Sequence, residues 1–181
     1  MVRKMNQVEW KLISELLKDS RNSDRELSKR LGVSQPTVSR MRHKLEKEGY
    51  LREYTIMPDF RKLGFNLAAI CFVKFKDGLD SRQQEEMRKR ATQRFTDLSF
   101  APNVIFFERG LGFGHTGMLV SFHEDYSSFV GFLKQIKQFT VLEEEIKTFL
   151  IDLNDDVHYR SLSFVPLAHC ILNRFKNEVT E

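Results

Sequence analysis

The chain has 181 residues and a mass of 21.4 kDa, with 41% hydrophobic and 30% charged residues, which allows one domain or two small ones and excludes a disordered polymer. No stretch approaches the roughly 20 apolar residues of a membrane helix, the start MVRKMNQVEWK lacks the apolar core of a secretory signal, and two distant cysteines, Cys71 and Cys170, exclude a disulfide-dense scaffold and a CxxC zinc site. The net charge of +4 is uneven: residues 1–62 carry 15 Lys/Arg against 9 Asp/Glu, and the remainder 14 against 16. These features predict a cytoplasmic protein with no membrane contact, whose basic first part meets a polyanion.

The first part reads as three short helices. Helix one opens at Asn6 with Glu9 three residues on, a capping-box pattern, and carries the apolar stripe Val8, Leu12, Ile13, Leu16 and Leu17. Helix two starts with a second such box, Ser23 and Glu26, buries Leu27 and Leu31, and stops at Gly32. Ser34 caps helix three, where Pro36 is tolerated because its missing N–H would have no partner in the first turn. This helix runs to about Lys47 before Gly49, and Leu51–Met57 alternates loosely, predicting a strand. Two capped helices joined by a short glycine turn form a helix-turn-helix pattern, over about residues 24–43. Leu27, Leu31, Val33, Val38, Met41 and Leu45 are expected to share its core.

With Val38, Met41 and Leu45 inward, the rotation of 100° per residue turns Pro36, Arg40, His43 and Lys47 outward, flanked by Thr37, Ser39 and Lys44. A helix of this kind fits the major groove of double-stranded DNA. Arg40 suits a bidentate contact to guanine and Gln35 a contact to adenine; Thr37 and Ser39 suit bases or phosphates. Arg42, His43, Lys44, Lys47 and, beyond the helix, Arg52 complete the expected DNA-binding set, Arg42, Lys44, Lys47 and Arg52 as phosphate contacts.

Two segments, Ile13–Arg21 and Ser23–Gly49, together with Tyr54–Phe65, resemble the DNA-binding domain, wing and linker of the Lrp/AsnC transcription regulators. The resemblance implies a sequence-specific DNA-binding transcription regulator and no enzyme, acting as a homodimer or higher oligomer, an octamer being left open, with a small-molecule effector of unknown identity. No cofactor is expected. Residues 1–58 would be the winged helix-turn-helix domain, 59–66 a linker, and 67–181 a second domain.

All sixteen phenylalanines lie at Phe60 or later, so the second part builds a different core. A strand over 67–76 ends at Asp77-Gly78. A helix from about Asp80 to Phe95, with Met87, Ala91 and Phe95 on one face, precedes a strand over Asn103–Arg109. Gly110–Gly117 reads as a turn, and Thr116–Phe122 as a strand with Met118, Val120 and Phe122 inward. A helix opening at Asp125 or Ser127 carries Phe129, Val130, Leu133 and Ile136, and Ile146–Leu153 is a fourth strand. A further strand or cover is expected at Ser161–Leu167. The fold class is therefore α+β, a winged helix-turn-helix followed by a ferredoxin-like βαββαβ domain, the order that the family's effector-sensing RAM domain has. Apolar residues on both faces of the first and fourth strands predict packing on a second subunit.

The loop Gly110-Leu-Gly-Phe-Gly-His-Thr-Gly117 contains a GxGxxG spacing, but a dinucleotide site requires a helix after it and here a strand follows. In the family this hairpin borders the amino-acid effector site, which implies Gly110, Gly112, Gly114, His115 and Thr116 as effector-binding residues. The aspartate usual there is missing, which weakens the case for an amino-acid ligand. Five histidines show no metal-ligand spacing, so neither a metal nor a catalytic residue is expected. Asp152, Asp155 and Asp156 with His158 read as a solvated strand end, and Glu143–Glu145 as a solvated turn. Sirohaem decarboxylases share the two-domain layout and form the enzymatic alternative; they carry His-Asn-Tyr-x-Arg where this chain has Asn103-Val-Ile-Phe-Phe-Glu-Arg109. A regulator-derived assembly module without DNA binding is a third class, and the basic first domain argues against it.

Overall fold

A computed structural model describes residues 3, 5–74, 81–97, 100–138, 145–157 and 159–178. The side chains expected at Met87, Ala91 and Phe95 lie outside the described residues, as do Asp77-Gly78, Glu143, Glu144 and His158. The chain divides into two units. The first comprises residues 1–57 and 159–181, the second 58–158.

The first unit holds α1 (Gln7–Lys18), α2 (Asp24–Leu31) and α3 (Gln35–Lys47). Both expected capping boxes form: Asn6 Oδ1 accepts from Glu9 N–H at 2.9 Å and Ser23 Oγ from Glu26 N–H at 3.3 Å, and each glutamate accepts the cap residue's own N–H. Gly32 takes the left-handed conformation, φ 67°, that the abrupt stop of α2 requires. Leu12, Leu27, Val38 and Leu45 are fully buried, with Leu31, Val33 and Met41 packed against them. Leu51–Met57 forms no strand; Tyr50 and Leu51 instead donate their N–H groups to the Leu45 carbonyl, and the segment runs on exposed without a ladder partner among the described residues.

Where a further strand or cover was expected at Ser161–Leu167, the chain forms α6 (Val165–Glu178) after an irregular stretch. Instead of joining the second domain, α6 packs on α1: Ile171 sits against the first unit's core, and the fully buried Ala168 accepts a hydrogen bond from the buried Ser14.

The second unit begins with a 3-10 turn at Arg61–Leu63, then β1 (Leu67–Val73), α4 (Ser81–Thr96), β2 (Val104–Gly112), β3 (His115–His123), α5 (Tyr126–Lys137) and β4 (Lys147–Asp152). The four antiparallel strands lie in the order β2-β3-β1-β4, the ferredoxin-like arrangement. Asp125 caps α5 in a third box with Ser128, and Phe129, Phe132 and Ile136 turn onto the sheet beside Ala69, Cys71, Val73 and Leu119.

The phase of β3 is opposite to the expected one. Gly117, Leu119, Ser121 and His123 face the helices, because α5 supplies aromatic rings to that side; His123 lies 5.3 Å from Phe129 and 5.0 Å from Phe132. Met118, Val120 and Phe122 belong to the other face. There Phe122 stacks on Phe60 at 4.0 Å, which fastens the entering chain to the sheet. Cross-strand register on that face aligns Phe106, Val120, Ile70 and Phe149 in one row across all four strands. Phe106, Phe149 and Ile151 are exposed.

Candidate nucleic-acid interface

Helix α3 has a fully buried edge, Val38 and Leu45, and an exposed one. Arg40, His43, Lys47 and Pro36 occupy the exposed edge, and no acid stands in the first turn. The arrangement follows from the helical period: residues 3, 4 and 7 apart share a face. Gln35 at the N-terminus is exposed; Thr37 and Ser39 are half-buried on the flanks. The Thr37 hydroxyl lies 2.8 Å from the cap hydroxyl of Ser34, and Arg40 Nε donates to the Pro36 carbonyl at 3.3 Å. Arg52 is exposed on the segment after α3.

Two of the expected phosphate contacts have internal partners instead. Arg42 turns inward: its guanidinium meets Asp24 Oδ1 at 2.8 Å and the Asn22 carbonyl at 3.1 Å, and lies over the Tyr54 ring at 5.6 Å, leaving the side chain 18% exposed. On the helical wheel it stands about 40° from Val38 and about 60° from Leu45, beside the buried edge, where Asp24, Asn22 and Tyr54 meet it. Lys44 Nζ reaches Glu9 Oε1 at 3.3 Å and is half-exposed.

Glu9 does more than the capping its spacing predicts. Its carboxylate, 1% exposed, is held by the Arg3 guanidinium at 2.8 Å as well as by Lys44. The Arg3 bond, then the cap N–H and Lys44, hold its carboxyl down at about 2 against the desolvation that opposes them. Tyr54 has a role as well. Its hydroxyl donates to Glu46 Oε1 at 2.8 Å, and burial, reinforced by that bond, pushes the phenol up to about 12. The Glu46 carboxyl is lowered, mainly by Tyr54. A lone tyrosine in an irregular stretch carries no periodic signal, whereas the Glu9 role is hinted at by an acid on an otherwise apolar stripe.

The glycine-rich stretch is not a long loop. Gly110 and Gly112 end β2, Phe113-Gly114 forms a two-residue turn with φ 53° and 75°, and Gly112 pairs with His115. Gly117 lies within β3, where a Cβ would come 3.0 Å from the Val73 side chain. His115 is buried and its Nδ1 sits 2.7 Å from the Phe113 carbonyl, while Thr116 is half-buried. No helix follows, so the spacing is that of a tight hairpin. Asp152 and Asp155 accept N–H groups two residues on, at 2.8 Å each, in local turns. Among the described residues no group of three metal-ligating side chains converges, and no helix is long and apolar enough to cross a membrane.

Comparison with known proteins agrees with this geometry. Residues 5–52 match the family described as winged helix-turn-helix DNA-binding. The HTH-type transcriptional regulator LrpC of Bacillus subtilis is 39% identical over 67 residues, 37% of this chain and 46% of that protein. The HTH-type transcriptional regulator PH0061 of Pyrococcus horikoshii is 31% identical over 111 residues, 61% of this chain and 68% of that one. The chain thus spans about half the length of LrpC and two thirds of PH0061 in sequence. The solved structure of PH0061 superposes with a TM-score of 0.70 at 24% identity, covering 90% of this chain and 99% of that one. A Neisseria meningitidis regulator solved as its L-Met complex superposes at 0.69 and 19% identity, covering 91% and 99%, and speaks for the fold alone. All three carry regulators' names, not enzymes', and none supports the decarboxylase alternative. The chain belongs to the Lrp/AsnC family of helix-turn-helix transcriptional regulators.

Proposed function

We infer that this protein is a sequence-specific DNA-binding transcription regulator that inserts α3 into the major groove. The observation carrying this reading is the two-edged character of α3, with Val38 and Leu45 sealed in the core while Arg40, His43 and Lys47 stand together in solvent. Gln35, Thr37, Ser39 and Arg40 are the base-reading candidates; Lys47 and Arg52 are the phosphate contacts, with Lys44 available once it leaves Glu9. Arg42 serves the fold of the reading head. The test is selection of duplexes from a random pool by the purified protein. Enrichment of one motif is expected, and recovery of the pool unchanged refutes the reading.

The working form is a cytoplasmic homodimer built on the apolar row Phe106, Val120, Ile70 and Phe149, with octamers as a further assembly. A two-fold dimer presents two α3 helices about one DNA turn apart, roughly 34–36 Å, which calls for a pseudo-palindromic site. The hairpin Gly110–Thr116 is the effector-site candidate. The Neisseria regulator was solved with L-Met. Here no aspartate lies between Asp97 and Asp125, and Gly110–Gly117 holds no acid, so an ammonium group would lose water without a carboxylate in the turn. Common amino acids should therefore bind weakly or not at all in calorimetric titration. Micromolar binding abolished by His115→Ala would reverse this.

A further inference from the structure

The segment that leaves α3 is fastened back onto the helix-turn-helix at two points. The Ser20 hydroxyl, in the turn between α1 and α2, donates to the Thr55 carbonyl at 3.3 Å. Tyr54 makes the second attachment, with its hydroxyl on Glu46 and its ring under the Arg42 guanidinium. Arg42 in turn bridges to Asp24 at the start of α2, so one cluster of four side chains joins both helices and the departing chain.

Glu46 stands at the centre of this cluster with its two oxygens divided. One accepts the Tyr54 hydroxyl at 2.8 Å, and the other lies 3.2 Å from Nδ1 of His43, whose ring is 78% exposed on the DNA-facing edge. On the helical wheel Glu46 falls about 80° from Val38, between the buried and the exposed edges. A carboxylate there can swing either toward the departing segment or toward the duplex. Facing the duplex, it would meet phosphates of its own sign, and every Lys and Arg contact would be weakened by its field.

We propose that Tyr54 is a positioning residue for the DNA-reading edge of α3: its hydroxyl ties Glu46 away from the duplex, and through Glu46 it sets the orientation of the His43 ring. This rests on the DNA-binding reading. Tyr54 touches no DNA itself. Its seat lies on the chain that runs directly into the second unit at Pro58, so anything that unseats that chain turns an acid toward the phosphates and lowers affinity without altering a single base contact.

Four proteins test it: the parent, Tyr54→Phe, Glu46→Gln and the double variant, each confirmed folded by circular dichroism. Tyr54→Phe keeps the ring beneath Arg42 and deletes the hydroxyl, and with it the bond to Glu46 and a weaker contact to Arg42. It should weaken binding about fivefold, on a duplex selected by the parent and on random duplex alike, because the effect is one of phosphate repulsion. In the Glu46→Gln background the same substitution should change affinity less than about twofold, since no charge is left to misplace. In heteronuclear NMR without DNA, Tyr54→Phe should shift the His43 ring signals. A loss of the same size in both backgrounds would show that Tyr54 only supports the fold, and no loss in either would show that it does nothing at this edge; both overturn the proposal. A parent that binds no duplex overturns the DNA reading itself, and this role with it, which is a different result from a parent that binds while Tyr54→Phe is silent.

Discussion

The hydroxyl of Ser14 donates a 3.1 Å hydrogen bond to the carbonyl of Ala168, and both residues are completely shielded from solvent. The bond spans 154 positions of sequence and closes α6 onto α1. A leucine at 168 has no room there, and overpacking of such a site costs about 1–3 kcal/mol. Ser14→Ala removes one net hydrogen bond, worth about 1 kcal/mol. Urea denaturation followed by the fluorescence of Trp10, the chain's one tryptophan, reads this unit directly. Midpoints should fall in the order parent, Ser14→Ala, Ala168→Leu. An unchanged midpoint for Ala168→Leu would mean that α6 does not hold α1 in solution.

Arg40 and Lys47 share an edge of α3 but should respond differently to truncation. Arg40→Ala should cost about 1–3 kcal/mol on a selected duplex and relax the preference at one base pair. Lys47→Ala should weaken all duplexes about equally and reduce the salt dependence by close to one phosphate, a log–log slope change of about 0.9. Titrations at several salt concentrations on selected and random DNA separate the two. If both variants bind as the parent does, this edge does not face DNA.

Acid should loosen the first unit before it loosens the second. The Glu9 carboxyl has a folded value of about 2 against an ordinary 4.5, so its contribution is complete above pH 4.5 and is lost as pH falls through that window toward 2. For a fully buried carboxylate the stake is up to about 3 kcal/mol. Stability of the parent should decline progressively from about pH 5 to about pH 2, the span set by linkage. Glu9→Gln should start lower at neutral pH and show a flatter profile. The same steepness in the variant would assign the acid sensitivity to other carboxylates.

An aspartate on the open sheet face should disrupt assembly. Phe149 is 63% exposed and sits in the row with Ile70, Val120 and Phe106. Phe149→Asp should convert a dimer to monomer in sedimentation while leaving the circular dichroism spectrum intact. A fragment spanning residues 58–158 should still dimerise. A dimer unaffected by Phe149→Asp would exclude this face as the interface.

Elements with strong local chemistry are legible in the amino-acid sequence. Asn6, Ser23 and Ser34 announce their helices because a side-chain oxygen must satisfy the free N–H groups of a first turn, and the order of strands and helices after residue 66 fixes the ferredoxin-like class. The strand expected at Leu51–Met57 rests on alternation alone, which needs a neighbouring strand to become a ladder. On β3 the alternation was right and its phase wrong: hydropathy places Met118 and Val120 inward, yet Ser121 and His123 are buried there because they bond each other at 2.8 Å under the rings of α5. At the candidate interface, the exposed edge of α3 followed from periodicity. The same periodicity puts Arg42 beside the buried edge, i+4 from Val38, but its partners Asp24 and Tyr54 are ones that sequence spacing does not bring together.

The chain leaves the first unit after Met57 and returns to it at Tyr159. The second unit is thus inserted within the unit that carries the helix-turn-helix. A single peptide-bond cleavage anywhere between residues 58 and 158 therefore leaves one fragment carrying α1 and α3 and the other carrying α6, and α6 still grips α1. Nicked protein should migrate as one particle under native conditions and as two pieces only in denaturant. By the same topology, co-expressed halves split within the second unit have a ready-made surface on which to find each other.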